Sequence, residues 1–213
     1  MTSPDSAPVA WAALVLCGGQ SRRMGRPKAW LPFGSESMLQ RVIGRLGQTE
    51  RFDRIVVVKA PQQPLPPLPK YVHVVEDHIP GLGPLGGMAA GLAALAGTLP
   101  EPAAAYVTSC DVPLLVPAVV QRICEQLQHW AAVVPVEEQY PHPLAAAYRL
   151  DVLPVVQQLL DEGEHRPRRL FELVPTHYLP VEMFRELDPE LDTFHNVNTP
   201  EEYQESLRRA GLA

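Results

Sequence analysis

The chain reads as an α/β protein built on a mainly parallel sheet. Three observations lead there. Short apolar runs recur along the sequence, stretches with helical spacing separate them, and the first run ends in a glycine turn followed by basic residues. Strands that alternate with helices build a mainly parallel sheet with helices on both faces. In such sheets ligands bind beyond the carboxyl ends of the strands, so function is sought in the residues just past each apolar run.

The elements follow in order. Residues 1–10 read as a disordered N-terminal tail: the start is polar, contains proline, and lacks the basic and apolar regions of a secretory signal. Residues 11–213 read as a single domain. The apolar run 12–16 is a buried strand. Residues 37–46 form an amphipathic helix with Met38, Val42, Ile43 and Leu46 on one face and Ser37 as its cap. Strands follow at 54–59 and 72–75. Between them, residues 61–69 hold five prolines in nine positions. That density excludes regular helix and predicts an extended surface connection. The alternation resumes directly afterwards, so this segment does not divide the chain. Residues 86–96 make a helix of small residues suited to close packing. A strand at 104–108 precedes a helix at 116–130, striped by Val119, Val120, Ile123, Leu127 and Trp130. Strands at 132–136 and 144–148 and helices at 152–160 and 201–207 complete the pattern. Thr199 and Glu202 form a capping box for the last helix.

Composition narrows the function. At 213 residues the chain is long enough to bury a substantial core. A net charge of −6 argues against a broad nucleic-acid surface, so a basic loop stands out as a local feature. No apolar run approaches the ~20 residues that cross a membrane, and the protein is read as cytoplasmic. Cys17, Cys110 and Cys124 show no metal-ligand spacing. Cys17 and Cys110 each end an apolar run, which allows them to be neighbours in the fold; they read as buried small hydrophobes.

Residues 14–28 carry the strongest signal. After the first strand come Gly18, Gly19, Ser21, Arg22, Arg23, Gly25, Arg26 and Lys28. Glycines let a backbone approach an anion closely, and successive backbone N–H groups form an anion-binding concavity. Arg and Lys add the positive charge that a triphosphate needs. The spacing fits neither G-x-x-x-x-G-K-[ST] nor G-x-G-x-x-G. A nucleoside triphosphate site of another type is predicted.

Further candidates lie past later strands. Asp111, in Cys110-Asp111-Val112-Pro113, is a carboxylate placed to bind Mg²⁺, which takes one or two carboxylates together with substrate phosphates. Asp77 precedes the Gly- and Pro-rich turn 81–88 and is placed to accept hydrogen bonds from a ribose or base; a cap on that turn is the structural alternative. The basic cluster at 162–169 reads equally as a second phosphate site or a solvated face. The amides of Asn196 and Asn198 are left unaccounted for by the capping box.

In sequence order, these segments resemble the molybdenum cofactor guanylyltransferase family of nucleotidyltransferases. The matching stretches are 16–25 with Lys28, Glu76-Asp77 with 83–88, 110–113, 141–144, 163–166 and 196–202. The resemblance implies a three-layer α/β/α Rossmann-like nucleotidyltransferase fold. It also implies transfer of GMP from GTP to molybdopterin-bound molybdenum, with Mg²⁺ as cofactor and pyrophosphate released. By position, Leu16, Cys17, Gly18, Gly19 and Ser21 fall in the nucleotide-binding loop. Arg22 and Lys28 grip the triphosphate as catalytic residues, Lys59 and Asp77 face the nucleoside, and Asp111 binds the metal and takes part in catalysis. Arg166, Asn196 and Asn198 lie toward the acceptor. Two positions depart from the family pattern: Cys17 stands where Ala is usual and Lys59 where Asn is common. The pair Gly18-Gly19 favours guanine over the cytosine of the CTP-dependent relatives; a sugar-phosphate nucleotidyltransferase is a further alternative. The chain is read as a monomer in transient contact with cofactor-insertion or apo-molybdoenzyme proteins.

Overall fold

The computed structural model describes residues 9–18, 26–77 and 81–213. Gly19, Ser21, Arg22, Arg23 and Gly25 of the predicted phosphate loop lie outside the described residues. Strand β1 is Ala10–Leu16, followed by the short hairpin β2 (Pro32–Phe33) and β3 (Glu36–Ser37), helix α1 (Met38–Gly47), β4 (Arg54–Lys59) and β5 (Val72–Glu76). Then come α2 (Gly83–Leu95), β6 (Ala103–Ser109), α3 (Pro117–Glu125), β7 (Ala132–Glu137), β8 (Tyr140–Pro141) and β9 (Ala145–Arg149). The last elements are α4 (Leu153–Asp161), β10 (Thr176–Pro180) and α5 (Pro200–Arg209), with short 3₁₀ turns between them.

Among the described residues the main sheet has eight strands, ordered β10-β7-β9-β6-β1-β4-β5 with β8 paired to β7. β6, β1, β4 and β5 run parallel, as do β7 and β10. β9 runs antiparallel to both β6 and β7. Central β1 is buried along its whole length, as expected for a strand covered on both faces. Side chains alternate across a strand, and β1 divides accordingly. Trp11, Ala13, Val15 and Cys17 enter one core with α1 and α3. Ala10, Ala12, Leu14 and Leu16 enter the other with α2 and α4. Helices α1 and α3 on one face, and α2 and α4 on the other, make the three layers.

The sequence boundaries need several corrections. Ala10, placed in the tail, is buried and opens β1, with Ala103 as its strand partner. The third helix is shorter than residues 116–130: it ends at Glu125, and Gln128 adopts a φ of 36°, outside helical space. Leu144 falls in a turn before β9. Strand β10, the β2–β3 hairpin and β8 carry too short or too mixed a pattern to be read from sequence. Both expected caps are present: Ser37 with Gln40, and Thr199 with Glu202, form full capping boxes. The proline-rich segment is a strap tied down at intervals. The Trp30 indole donates to the Pro64 carbonyl (3.0 Å) and the Gln40 amide to that of Pro67 (2.8 Å).

Candidate active site

Because β1, β4, β5 and β6 are parallel, their carboxyl ends share one rim. Backbone bonds continue one residue past the strands. Cys17 N–H donates to Val58 O (2.7 Å), Cys110 N–H to Leu16 O (3.0 Å) and Asp77 N–H to Lys59 O (2.8 Å). The rim therefore carries Cys17-Gly18, Ala60, Asp77 and Cys110-Asp111 side by side, as expected for an open α/β sheet.

The centre of the site joins three distant parts of the chain. The Lys28 ammonium lies 2.7 Å from Asp111 Oδ2 and donates to Asn198 Oδ1 at 2.8 Å. The other Asp111 oxygen accepts from the Ser109 hydroxyl and, at 3.3 Å, from the Asn196 amide. The Lys28 and Asp111 side chains are only 16% and 13% exposed, so the pair sits in a recess rather than on an open face. A partly buried ion pair is screened less by water than an exposed one.

Each partner is held by its own element. Lys28 opens a 3₁₀ turn through Trp30, and Ala29 of that turn is buried beside α1. Asp111 follows β6 directly. The segment 196–198 is docked by Val197, whose N–H donates to Asp111 O (2.8 Å) and whose side chain packs with Leu31 and Met38. Glu202 of the last helix accepts from the Asn198 and Thr199 N–H groups, at 2.6 and 3.0 Å. Upstream, buried Asp188 accepts from the Asp192 and Thr193 N–H groups and from the Thr193 hydroxyl. That hydroxyl in turn accepts from Val116 N–H (3.1 Å), tying the 188–197 loop to the loop after Asp111.

Toward the β5 edge, the Lys59 ammonium meets Glu76 at 2.6 Å. Asp77 Oδ2 lies about where the first turn of α2 passes, 3.5 Å from a Cβ built on Gly86. Gly81 and Gly83, with φ of 94° and 61°, make the turn into α2 that other residues resist. A Cβ on Gly83 would lie 3.6 Å from His165 O, so the 163–166 loop abuts this turn. Arg166 itself is paired with Glu164 (2.7 Å), whose carboxyl the Arg166 hydrogen bonds hold down to about 2. The structure thus gathers Lys28, Asp111, Asn196 and Asn198 into one cluster, places Leu16, Cys17, Gly18, Lys59 and Asp77 along the same rim, and engages Arg166 in a separate ion pair.

Cys17 and Cys110 are neighbours, as their strand-end positions suggest. The hydrogen bond that the Cys110 thiol shares with Cys17, which favours its protonated form, and burial together push that thiol well above its ordinary range. It remains a protonated, buried side chain, in keeping with a packing role. His142 packs against Phe194 with ring centres 5.1 Å apart. Burial lowers its pKa, and the Glu137 carboxylate, 3.6 Å away, offsets this in part.

The donor chemistry suits a hard divalent cation that takes few protein ligands. Among the described residues no three His, Cys, Asp or Glu side chains converge as a cage. Asp111 presents a carboxylate with the Ser109 hydroxyl and Asn198 amide oxygen close by. One carboxylate beside a phosphate-bearing substrate is how Mg²⁺ is usually held. The Lys28 ammonium already places a positive charge against that carboxylate.

Two participants escaped the sequence reading. Ser109 had a signal: it precedes Asp111 by two residues at a strand end, so both side chains point the same way. Gln63, whose amide lies on the Cys17 carbonyl, had none, because it sits in an irregular strap.

The chain is similar to known proteins in both sequence and fold. The family model of the MobA-like NTP transferase domain matches residues 13–181. A protein of Mycobacterium tuberculosis H37Rv named probable molybdenum cofactor guanylyltransferase is 39% identical over 173 residues, covering 80% of this chain and 82% of the relative. The solved molybdopterin-guanine dinucleotide biosynthesis protein A of Archaeoglobus fulgidus superposes with a TM-score of 0.76 at 22% identity, over 95% of this chain and 100% of that one. Rv0371c of Mycobacterium tuberculosis, solved as a complex with manganese, superposes at a TM-score of 0.61 and 18% identity, over 95% of this chain and 100% of that one. Among the described residues no helix is long and apolar enough to cross a membrane.

Proposed function

This chain belongs to the MobA-like NTP transferase family, and on that premise we propose that it transfers GMP from GTP to molybdopterin-bound molybdenum cofactor, releasing pyrophosphate. The observation that carries this reading is the Lys28–Asp111–Asn198 cluster at the carboxyl rim of the sheet. The names of its mycobacterial relatives supply the nucleotide and the acceptor.

The reaction is an in-line attack by the terminal phosphate of molybdopterin on the α-phosphorus of GTP. A phosphate monoester has a second pKa near ~6, so it arrives largely ionised and needs no strong base. The protein's work is positioning and charge neutralisation. Leu16, Cys17, Gly18, Gly19 and Ser21 form the nucleotide loop, with Lys59 and Asp77 toward the nucleoside. Arg22 and Lys28 hold the triphosphate. In this scheme Lys28 exchanges its bond with Asp111 for phosphate oxygens. Asp111 would hold Mg²⁺, which would supply charge neutralisation at the phosphates. Asn196 and Asn198 face the acceptor, with Arg166 at the far edge. Residues 11–213 act as one catalytic domain of a cytoplasmic monomer, which passes its product on by transient contact with cofactor-insertion or apo-molybdoenzyme proteins.

The test is pyrophosphate release with Mg²⁺ and molybdopterin-loaded acceptor, comparing GTP with CTP, ATP and UTP. A clear preference for GTP is expected. A preference for CTP contradicts the guanine assignment, and no release with any of the four contradicts the activity.

A further inference from the structure

The carboxyl ends of β1 and β4 leave two backbone groups side by side on the rim: the Cys17 carbonyl and the Ala60 N–H. Both are taken by one side chain. The Ala60 N–H donates to Gln63 Oε1 (3.0 Å), and Gln63 Nε2 donates to the Cys17 carbonyl (3.0 Å). Gln63 is brought there by a tight turn in which its own N–H donates to Ala60 O (3.1 Å). That turn places Gln62 at a φ of 59°, a backbone region that a residue with a Cβ adopts at a cost. The Trp30 indole, bonded to Pro64 O, fixes the strap immediately after it. Gly18 borders the same spot: a Cβ built on it would lie 4.0 Å from Ala60 N.

The chemistry of this contact is specific. A primary amide presents a carbonyl oxygen that accepts and an adjacent N–H that donates. The lactam edge of a 6-oxopurine presents the same pair in the same order, O6 accepting and N1–H donating. We infer that the Gln63 amide holds the place of the base's lactam edge at the Cys17 carbonyl and the Ala60 N–H until the nucleotide displaces it. This deepens the guanylyl-transfer reading and rests on it. It makes Gln63 a competitor for these two backbone groups rather than a contact to the bound nucleotide. A ligand that must displace an internal competitor binds with an affinity reduced by the fraction of open sites.

Removal of the amide therefore tightens binding of nucleotides that carry the lactam edge. Each displaced hydrogen bond has a modest net worth, and losing both predicts a change of about tenfold. The experiment is titration calorimetry of the wild-type protein and Gln63→Ala, with Mg²⁺, using GTP, ITP and inorganic triphosphate as probes. The expected result is a dissociation constant about tenfold lower for GTP and for ITP in Gln63→Ala, with that for inorganic triphosphate unchanged. Equal or weaker GTP binding by the variant overturns the inference while leaving the GTP reading intact. Equal tightening of all three probes also overturns it, because the effect then lies at the phosphates. Failure of both proteins to bind GTP overturns this inference and the proposed function together.

Discussion

Helix α2 lies unusually close to β1, and two of its glycines make a controlled experiment. A Cβ added at Gly91 would come 2.2 Å from Leu14 Cδ1, 2.6 Å from Cδ2 and 2.9 Å from Cγ. Leu14 is fully buried in the centre of the sheet, so it has no open space to swing into. At Gly87, one turn earlier, the nearest atom to an added Cβ is Leu16 Cδ2 at 3.4 Å, an ordinary contact. Both substitutions to Ala gain about 1 kcal/mol of helix propensity. At Gly91 that gain is set against overpacking, which costs about 1–3 kcal/mol. The Cγ clash requires Leu14 to leave its position rather than rotate its tip, which places the cost at the upper end. Gly91→Ala is thus expected to lose about 1–2 kcal/mol, while Gly87→Ala gains up to about 1 kcal/mol. For a chain of this size 1 kcal/mol corresponds to roughly 2–4 °C in melting midpoint. Thermal unfolding should separate the two variants by about 2–12 °C, with Gly91→Ala below wild type. Equal midpoints for the two would refute the claim that the Leu14–Gly91 contact sets the distance between α2 and the sheet.

The remaining predictions concern the rim. Lys28→Ala removes the ammonium proposed to hold the triphosphate and is expected to lower kcat/KM for GTP by about 10²–10³-fold; unchanged kinetics would remove Lys28 from the site. His142 has a pKa lowered chiefly by burial, so the folded protein favours its neutral form more than the unfolded chain does. Above the ordinary value of 6.5 both states are neutral and the residue costs nothing. As pH falls through that value the unfolded chain takes up the proton first, and stability is lost. Urea unfolding at pH 7.5 and pH 5.5 should therefore give a larger loss for wild type than for His142→Gln; equal losses would contradict the assignment.

Much of the rim was legible because its signals are local. Parallel strands covered on both faces read as short continuous apolar runs, and the residue after each run falls on the binding edge. Asp111, Asp77 and Cys17 could be placed by that rule alone. Lys28 and Asn198 could not: their meeting at Asp111 depends on how the 28–30 turn and the 188–198 loop pack, through Val197, Asp188 and Thr193. The third helix was overextended because its apolar stripe continues through Leu127 and Trp130, while the left-handed backbone at Gln128 leaves no trace in hydrophobic spacing. Strand β10 was missed for a different reason. It pairs with β7 alone at the sheet edge, and only Leu179 of its residues is buried, so its pattern is mixed. The role of Gln63 was invisible because it depends on a hydrogen bond to a backbone brought close by the sheet.

The central claim is that the Asp111 cluster is the site of guanylyl transfer. Pyrophosphate release from GTP by Asp111→Ala, measured across a range of Mg²⁺ concentrations beside wild type, tests it most directly. A melting curve on the same sample establishes that the variant is folded. The account predicts a folded protein whose turnover falls by at least about 10²-fold at every Mg²⁺ concentration. Near-wild-type turnover at ordinary Mg²⁺ would contradict it.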